Sequence, residues 1–582
     1  MQQAESIRPA EPATRTAAIG IVGGGPVGLV LALLLGRSGV PSVLFNTEGE
    51  TRWHPKGSSE SARSMELFRQ LGLAERIRAL GLPGDHPTDV AYFTRFNAHE
   101  LARIAMPSRA EVLRRRNSVP KTDQVPEPIH RANQMHVDRL LAEHAATRPH
   151  ITSRFGWQVD GFAQDADGVT VSAANAATGA AECWRVQYLV GCDGGRSYVR
   201  RSLGLRFSGE AALEDRYFGG RMFSTYIRSP ALYRDVLKRR QAWQYWAVNP
   251  AMRSTIISVN GNDEFLFRTK AAAPNQPADD ATIVAALHCC AGAMPPIEIL
   301  GHEPWTAGTA LVAEKFADRR VLLAGDAVHL FTPTGGFGMH TGLEDAANLA
   351  WKLAACVQGW GGPALLATYE QERLPIALRN TGAARQLSIN INDVEAPPEI
   401  EMGSSDGEAA RRHASAKLAT YAEQFASIGV QLGARYDHSP IIAADAAPPA
   451  DDVTIYSPSS VPGGRAPHAW LDDARRDGSS LFDRLGTGMT LLRLGPRPPE
   501  AGAFASAARA QGIPLSVIDI DDGDIRDLYD CDLALIRPDH HVAWRGNAVP
   551  ADASMLMART VGAGPFRGAR RNPETWCPPG TG

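Results

Sequence analysis

The first residues with chemical meaning in this chain are glycines. Gly23-Gly24-Gly25-Pro26-Val27-Gly28 fits the spacing Gly-x-Gly-x-x-Gly. In that spacing Gly23 permits a tight turn, Gly25 lets the backbone approach a pyrophosphate, and Gly28 lets the next helix pack on the preceding strand. Pro26 falls in that helix's first turn, where a missing N–H costs little. The helix N-terminus then presents free N–H groups and a favourable dipole to phosphate. Dinucleotide sites of this kind end the second strand in an acid that binds the ribose. Here that position is Asn46, with Glu48 two residues later. Asn46 donates and accepts hydrogen bonds, so it offers an uncharged ribose contact.

Later stretches combine polar residues with glycine turns. Gly325-Asp326 closes an apolar run, where a carboxylate can bond a sugar-alcohol hydroxyl; a helix-capping aspartate is the alternative. Pro333-Thr334-Gly335-Gly336-Phe337-Gly338-Met339 leads into a helical pattern, so its backbone N–H groups can face the polar edge of a ring. Asp193-Gly194 also ends an apolar run, and a simple strand-end turn explains it too. Gln134 opens a helix, where an exposed amide is the plain reading. Arg63, in Ser61-Ala62-Arg63-Ser64-Met65-Glu66, has a salt bridge with Glu60 or Glu66 as its plain reading. Trp243, Tyr245 and Trp246 either wall an aromatic pocket or pack in a core, and Tyr226 and Arg221 are pocket candidates from the same region.

These residues need elements to position them. The apolar run 18–22 predicts a buried strand, 26–37 a helix closed by Gly39, and 42–45 a second strand, a β-α-β unit. Helices are predicted over 64–73, 135–145 and 343–356, with helical charged segments over 364–390 and 408–432. Residues 154–189 and 205–310 read mostly as strands, among them 245–248, 254–259 and 263–267. The stretch 441–466, rich in Pro, Ala, Asp and Ser, reads as a linker. A smaller α/β pattern follows, with strands over 489–494, 515–520 and 533–536 and a helix over 501–511.

Composition narrows the classes. A chain of 582 residues exceeds one ordinary core and predicts two or three domains. Hydrophobic residues at 44% and charged residues at 21% suit a globular protein. The net charge of -3 provides no basic field for nucleic acid. Seven scattered cysteines without a Cys-x-x-Cys pair argue against a disulfide framework or structural zinc and suit a reducing cytoplasm. The longest apolar run, 27–35, is far short of a membrane span.

Three motifs in order carry a resemblance. After the glycine string come Tyr188-Leu189-Val190-Gly191-Cys192-Asp193-Gly194-Gly195-Arg196-Ser197 and Arg320-Val321-Leu322-Leu323-Ala324-Gly325-Asp326-Ala327-Val328-His329. The second continues through the 333–339 loop into Asp345-Ala346-Ala347-Asn348-Leu349-Ala350-Trp351-Lys352-Leu353. Over residues 18 to about 385 the chain resembles the single-component (class A) FAD-dependent aromatic hydroxylases. Pro462-Gly463-Gly464-Arg465-Ala466-Pro467-His468-Ala469-Trp470-Leu471 and Arg537-Pro538-Asp539-His540-His541-Val542-Ala543-Trp544-Arg545 resemble the C-terminal thioredoxin-like domain of the phenol hydroxylase and 2,4-dichlorophenol 6-monooxygenase branch.

The resemblance implies an α/β fold: a Rossmann-type FAD-binding domain (18–204 and 311–390) with an inserted, mainly antiparallel-sheet substrate domain (205–310 with part of 85–130). A flexible tail (1–17) would precede it, and a helical segment with a linker (391–450) and a thioredoxin-like α/β domain (451–582) would follow. It implies non-covalent FAD, NADH or NADPH as a transient co-substrate, and O2, with a C4a-hydroperoxyflavin passing oxygen to a small aromatic, phenolic substrate. The cofactor contacts it implies are Gly23, Gly25, Pro26, Gly28, Asn46, Arg63, Gln134, Asp193, Gly194, Gly325, Asp326 (on the ribityl chain), Pro333, Gly336, Gly338 and Met339. Pro333, Tyr226 and Arg221 are the candidate catalytic residues, and no metal is expected. The C-terminal domain, lacking a cysteine pair, would be redox-inactive and serve an interface in a homodimer or larger oligomer. No nucleic acid or membrane partner is expected.

Two positions depart from the family pattern. His340 stands where the family usually has Asn. Ser58 stands five residues before Arg63, where phenol-hydroxylating members often carry an acid or histidine that takes the phenol proton. Serine is no base at neutral pH without help. Deprotonation then falls to another group, with Tyr226 a candidate, or is not needed. The same flavin chemistry on a polyketide or a ketone, including Baeyer–Villiger oxygenation, is therefore the alternative. A FAD-binding protein without turnover is a third reading, opposed by the intact second and third motifs.

Overall fold

The computed structural model describes residues 14–115, 118–211, 219–238, 240–271, 279–425, 427–471 and 479–564. Its central sheet has six strands in the order Ala317–Asp318, Val321–Leu323, Tyr188–Gly191, Ile19–Val22, Ser42–Asn46 and Ile151–Phe155. All neighbours are parallel except the first pair. Ile19–Val22 and Val321–Leu323 are buried along their whole length, as the short apolar runs require of strands covered on both faces. Helix Pro26–Arg37, buried from Val27 to Leu35, packs between this sheet and the long helix Phe337–Gln358.

A second, four-stranded sheet joins Thr14–Thr16, Ala181–Val186, Val169–Asn175 and Trp157–Gln164. Thr14–Thr16 runs parallel to Ala181–Val186. The expected flexible tail over 1–17 is corrected there: 14–16 is an edge strand, while 1–13 lies outside the described residues. Polar Thr-Arg-Thr has no apolar signal because the edge strand is exposed.

The inserted sheet has seven strands in the order Glu298–Ala307, Gly220–Arg228, Glu264–Lys270, Arg253–Ser258, Gln244–Val248, Val90–Phe93 and Glu100–Ile104. Only Gln244–Val248 with Val90–Phe93 is parallel. The two last strands come from the 85–130 segment. Phe207–Glu210 is a different matter. It pairs with Ala310–Ala313, which also pairs with His329–Leu330, so a small three-stranded sheet hinges the insert to the FAD-binding domain.

One face of the seven-stranded sheet carries Met222, Tyr226, Trp246 and Leu266, packed with Ile391, Ile400, Leu418 and Tyr421. The other carries Ile227, Tyr245, Phe265 and Phe267 against helix Asp280–Ala291. The segment after 391 therefore roofs the sheet. Its main helix, Ser405–Ala419, starts at Ser404, whose side chain accepts from the Gly407 N–H.

The C-terminal unit orders Leu515–Ile520, Met489–Leu494, Leu533–Ile536 and Val542–Gly546, the first pair parallel and the rest antiparallel. Helices Gly502–Ala510, Gly523–Tyr529 and Ala553–Thr560 flank it. The linker expectation needs correcting at its end. Residues 460–470 are buried throughout, and Arg465 donates to Glu66 Oε1 and Oε2 at 2.5 and 3.1 Å. Trp351, Leu365 and Ile376 share a core with Leu491, Phe504 and Leu535. Pro- and Ala-rich composition signalled a lack of regular structure, and the segment packs without it.

Candidate active site

The glycine loop is built by close approach. Gly23 has φ 115°, and a Cβ there would meet the Cys192 carbonyl oxygen at 2.2 Å; one on Gly28 would meet the Gly23 oxygen at 2.0 Å. A Cβ on Gly25 would meet nothing within 4 Å, so the loop is tight behind and open in front. Gly25 is the N-cap of Pro26–Arg37 and provides no side-chain cap, which leaves the helix's first N–H groups to the open side. Asn46 is engaged at both ends by the protein itself: Oδ1 accepts from the Gly24 N–H at 3.0 Å, and Nδ2 donates to the Glu48 carbonyl at 2.9 Å. Its observed work is to tie the loop to the second strand.

Across the sheet, Gly325 takes φ 64° and turns the chain so that Asp326 faces outward. Asp345 fixes this turn. Its Oδ2 accepts from the Gly325 N–H at 3.1 Å and pairs with His329 Nε2 at 2.7 Å, while Oδ1 accepts from Arg373 at 2.8 Å. Asp326 itself accepts no hydrogen bond from a described residue. Its carboxyl is reachable by solvent yet closely surrounded, and burial raises its pKa against the pull of His329 and Lys56. That combination describes the wall of a cleft.

Lys56 faces the same cleft. Burial lowers its pKa most, Arg52 adds to this, and Glu303, Asp326 and Asp138 oppose it. Sequence reading missed Lys56 because a single lysine in an irregular loop has no spacing to reveal it. Gln134 stands next to it: Oε1 accepts from the Gly57 N–H at 3.4 Å and Nε2 donates to Asp138 Oδ2 at 3.1 Å. Burial pushes the Asp138 carboxyl up to about 7.

The 333–339 loop leads into Phe337–Gln358 through Gly335 and Gly336 at φ 78° and 69°. Gly336, like Gly25, is an N-cap without a side-chain cap and with open space at its Cβ position. Pro333 precedes the turn, Gly338 lies against Phe331, and Met339 is half-buried against the main core. His340 is held by Ser64 Oγ at 2.9 Å, and burial pulls its pKa down to about 4. At neutral pH it places an uncharged imidazole where the family amide was expected.

Asp193 Oδ2 accepts from the Val199 N–H at 3.0 Å, while Oδ1 is buried without a partner among the described residues. Arg63 is elsewhere. It is 4% exposed and donates to Glu66 at 2.8 Å and to the Asp539 carbonyl at 2.7 Å. The structure assigns it to the seam with the C-terminal unit, which corrects its expected cofactor contact. The remaining set fits FAD: two uncapped helix starts at open glycines, the partnerless carboxylate of Asp326 and the orphaned oxygen of Asp193.

On the substrate side the candidates separate. Strand alternation puts Tyr226 and Arg221 on opposite faces of Gly220–Arg228. Arg221 lies 5.7 Å from the Phe223 ring centre. Tyr226 donates to Glu264 Oε2 at 2.5 Å, and burial followed by Glu264 raises its pKa. A phenol that already donates to a carboxylate is a poor base, so Tyr226 is corrected as proton acceptor. The aromatic trio also divides. Trp246 stacks on Tyr92 at 5.7 Å on one face, and Tyr245 packs with Phe93 and Phe96 on the other. Trp243 lies under the Arg131 guanidinium, 3.8 Å from its ring centre.

Among the described residues no helix is long and apolar enough to cross a membrane, and no cluster of three metal-ligating side chains occurs. Residues 15–384 match the family model of the FAD binding domain, and 459–564 match that of the aromatic-ring hydroxylase C-terminal domain. FAD-dependent monooxygenase apdD of Emericella nidulans is 31% identical over 93% of this chain and 90% of its own length. Tetracenomycin B2 monooxygenase-dioxygenase of Streptomyces olivaceus is 31% identical over 92% and 96%. Phenol 2-monooxygenase of a Pseudomonas species is 27% identical over 92% and 91%. Among solved structures, RebC soaked with chromopyrrolic acid superposes with a TM-score of 0.84 at 32% identity, covering 95% of this chain and all of that one.

Proposed function

Because this chain belongs to the FAD-dependent monooxygenases that carry an aromatic-ring hydroxylase C-terminal domain, we propose that it oxygenates a multi-ring aromatic or polyketide-type substrate rather than a simple phenol. The observation that carries this reading is the separation of phenol-binding candidates: position 58 is serine, and the Tyr226 hydroxyl is bound to Glu264 at 2.5 Å. A ring already activated by its own ionised or electron-donating substituents does not need that relay. Relatives named for tetracenomycin B2, and a RebC structure with bound 7-carboxy-K252c, support a large flat substrate.

The enzyme uses FAD, NAD(P)H and O2. Bound FAD supplies the two-electron chemistry that accepts hydride from NAD(P)H and activates O2. In this reading Gly25 and the start of Pro26–Arg37 hold its pyrophosphate, and Asp326 holds a ribityl hydroxyl. The N–H groups at Gly336 and Phe337 face its pyrimidine edge, and Lys56 and Gln134 flank it. The seven-stranded sheet and the roof over 391–421 exclude water, which keeps activated oxygen from being lost as H2O2. Free cysteines at the six described positions support a reducing compartment, the cytoplasm. The exposed Val517 on edge strand Leu515–Ile520 supports pairing of two copies into a homodimer, which light scattering tests.

The decisive experiment supplies purified holoenzyme with NADH or NADPH and a panel of mono- and polycyclic hydroxyaromatics. Oxygen uptake is followed, and products are read by mass. The expected result is coupled uptake and a gain of one oxygen with multi-ring compounds. Efficient coupling with phenol alone, or no oxygen transfer to any ring, would overturn the proposal.

A further inference from the structure

Arg131 is buried without an anion among the described residues. It is 6% exposed. Its three recorded partners are the Ser59 hydroxyl at 2.6 Å, the Met106 sulfur at 3.5 Å and the Trp243 ring at 3.8 Å. Nε has no partner. Arg373, Arg465 and Arg537 are neutralised by carboxylates, the first by Asp345 and Glu344, the second by Glu66, the third by Glu372 and Asp539, and the equally buried Arg200 donates to the Ala327 and Gly195 carbonyls. A hydroxyl, a thioether and an indole face offset far less of the cost of burying a cation. Burial accordingly lowers the Arg131 pKa to about 9, with no opposing carboxylate.

Two further observations say what would complete this site. The guanidinium borders a cleft walled by Leu82, Thr88, Met106 and Val112, with Arg109 as a second cation in its lining. Apolar walls, a cationic end and a volume of about 40 Å³ fit a small anionic group such as a carboxylate, with the ring that carries it left outside the cleft. The same guanidinium also adjoins the flavin-loop region: Ser59, which holds it, faces His340, the residue after Met339.

We propose that Arg131, backed by Trp243 and held by Ser59, anchors a carboxylate of the aromatic substrate and so selects ring acids over neutral rings. The two terminal nitrogens of the guanidinium, held only by a hydroxyl and a thioether, are the donors that a carboxylate would take in two parallel hydrogen bonds. The proposal rests on the oxygenase reading above for the identity of the ligand as substrate, and its test needs no turnover.

Holoenzyme is titrated with 3-hydroxy-2-naphthoate and with its methyl ester, and binding is read from the flavin absorption difference. The wild type is expected to bind the acid at least ~10-fold more tightly than the ester. Arg131→Gln should abolish that preference by weakening the acid alone, while Arg131→Lys keeps part of it. FAD content and melting temperature are measured alongside. Equal binding of acid and ester by the wild type, or binding of neither, overturns the proposal even if Arg131→Gln fails to fold. A preference that survives Arg131→Gln overturns it too. Loss of oxygen transfer with the acid preference intact would sink the oxygenase reading and leave the anchor standing.

Discussion

Replacing Asp326 separates cofactor binding from folding. Its carboxylate accepts no hydrogen bond from a described residue, and burial disfavours its charge. Removing it therefore leaves no protein donor orphaned, and the apo-protein should melt at an unchanged or slightly higher temperature. A charge-assisted hydrogen bond to a ribityl hydroxyl contributes about 1.5–3 kcal/mol. At about 1.4 kcal/mol per decade, Asp326→Ala should weaken FAD binding by roughly 10- to 150-fold. Asp193→Ala supplies the contrast. Asp193 accepts from the Val199 N–H at 3.0 Å, so its loss should cost the local turn about 0.5–2 kcal/mol and appear first in melting temperature. Apo-protein of both variants is titrated with FAD by fluorescence quenching, and melting is followed in parallel. An Asp326→Ala affinity equal to wild type, or a melting loss matching that of Asp193→Ala, would refute the reasoning.

Three further outcomes follow from the geometry. Glu66→Gln should destabilise the fold by about 3–5 kcal/mol, because Arg63 and Arg465 are then buried against each other without their shared carboxylate; thermal melting and protease release of the C-terminal unit read this, and an unchanged melting point would contradict it. Asp138, held up to about 7, keeps its proton in the folded state while the unfolded chain loses it near 4, so wild-type stability falls as pH rises through that window and is flat above it. Asp138→Asn should gain on the wild type by up to about 1.4 kcal/mol per pH unit between pH 4 and 7, and a pH-independent difference in melting would disprove the raised pKa. Tyr226→Phe leaves Glu264 paired with Arg228 at 3.1 Å and should not change the shape of the pH profile of product yield; loss of a limb would restore Tyr226 as proton acceptor.

What was legible in the sequence was whatever backbone geometry demands. Glycines at 23, 28 and 325 are forced by close approach or positive φ, so their spacing betrays the fold before any contact is known. Strand 533–536 falls where an unbroken apolar run puts it, and 489–494 where a mainly apolar one does. Side-chain roles read less well. Arg63 matches a family position, yet an arginine can reach several partners, and here Glu66 and a carbonyl 476 residues away take it. Tyr226 and Arg221 sit five residues apart on one strand, and the odd spacing itself already places them on opposite faces. Lys56, Arg131 and Asp138 were invisible because they come from a loop, a pre-helix segment and a helix that only tertiary structure brings together.

The C-terminal unit also finds a physical reason in these contacts. Its sequence has no Cys-x-x-Cys pair, but it grips helix Ala62–Gln70 along its length. The Asp539 carbonyl takes Arg63, Arg465 takes Glu66, and Asp483 takes Arg69 through two bonds at 2.8 and 2.7 Å. That helix begins directly after the irregular loop that carries Lys56 and Ser59, and its Ser64 holds His340. A loop without regular hydrogen bonding keeps a defined shape only if its ends are fixed. One end is fixed by Gln134 at Gly57, the other by this helix and hence by the C-terminal unit. Loosening the seam should therefore be felt at Lys56 and Arg131 before it is felt in the central sheet. Glu66→Gln would raise the dissociation constants for both FAD and a ring acid at temperatures where the sheet is still folded.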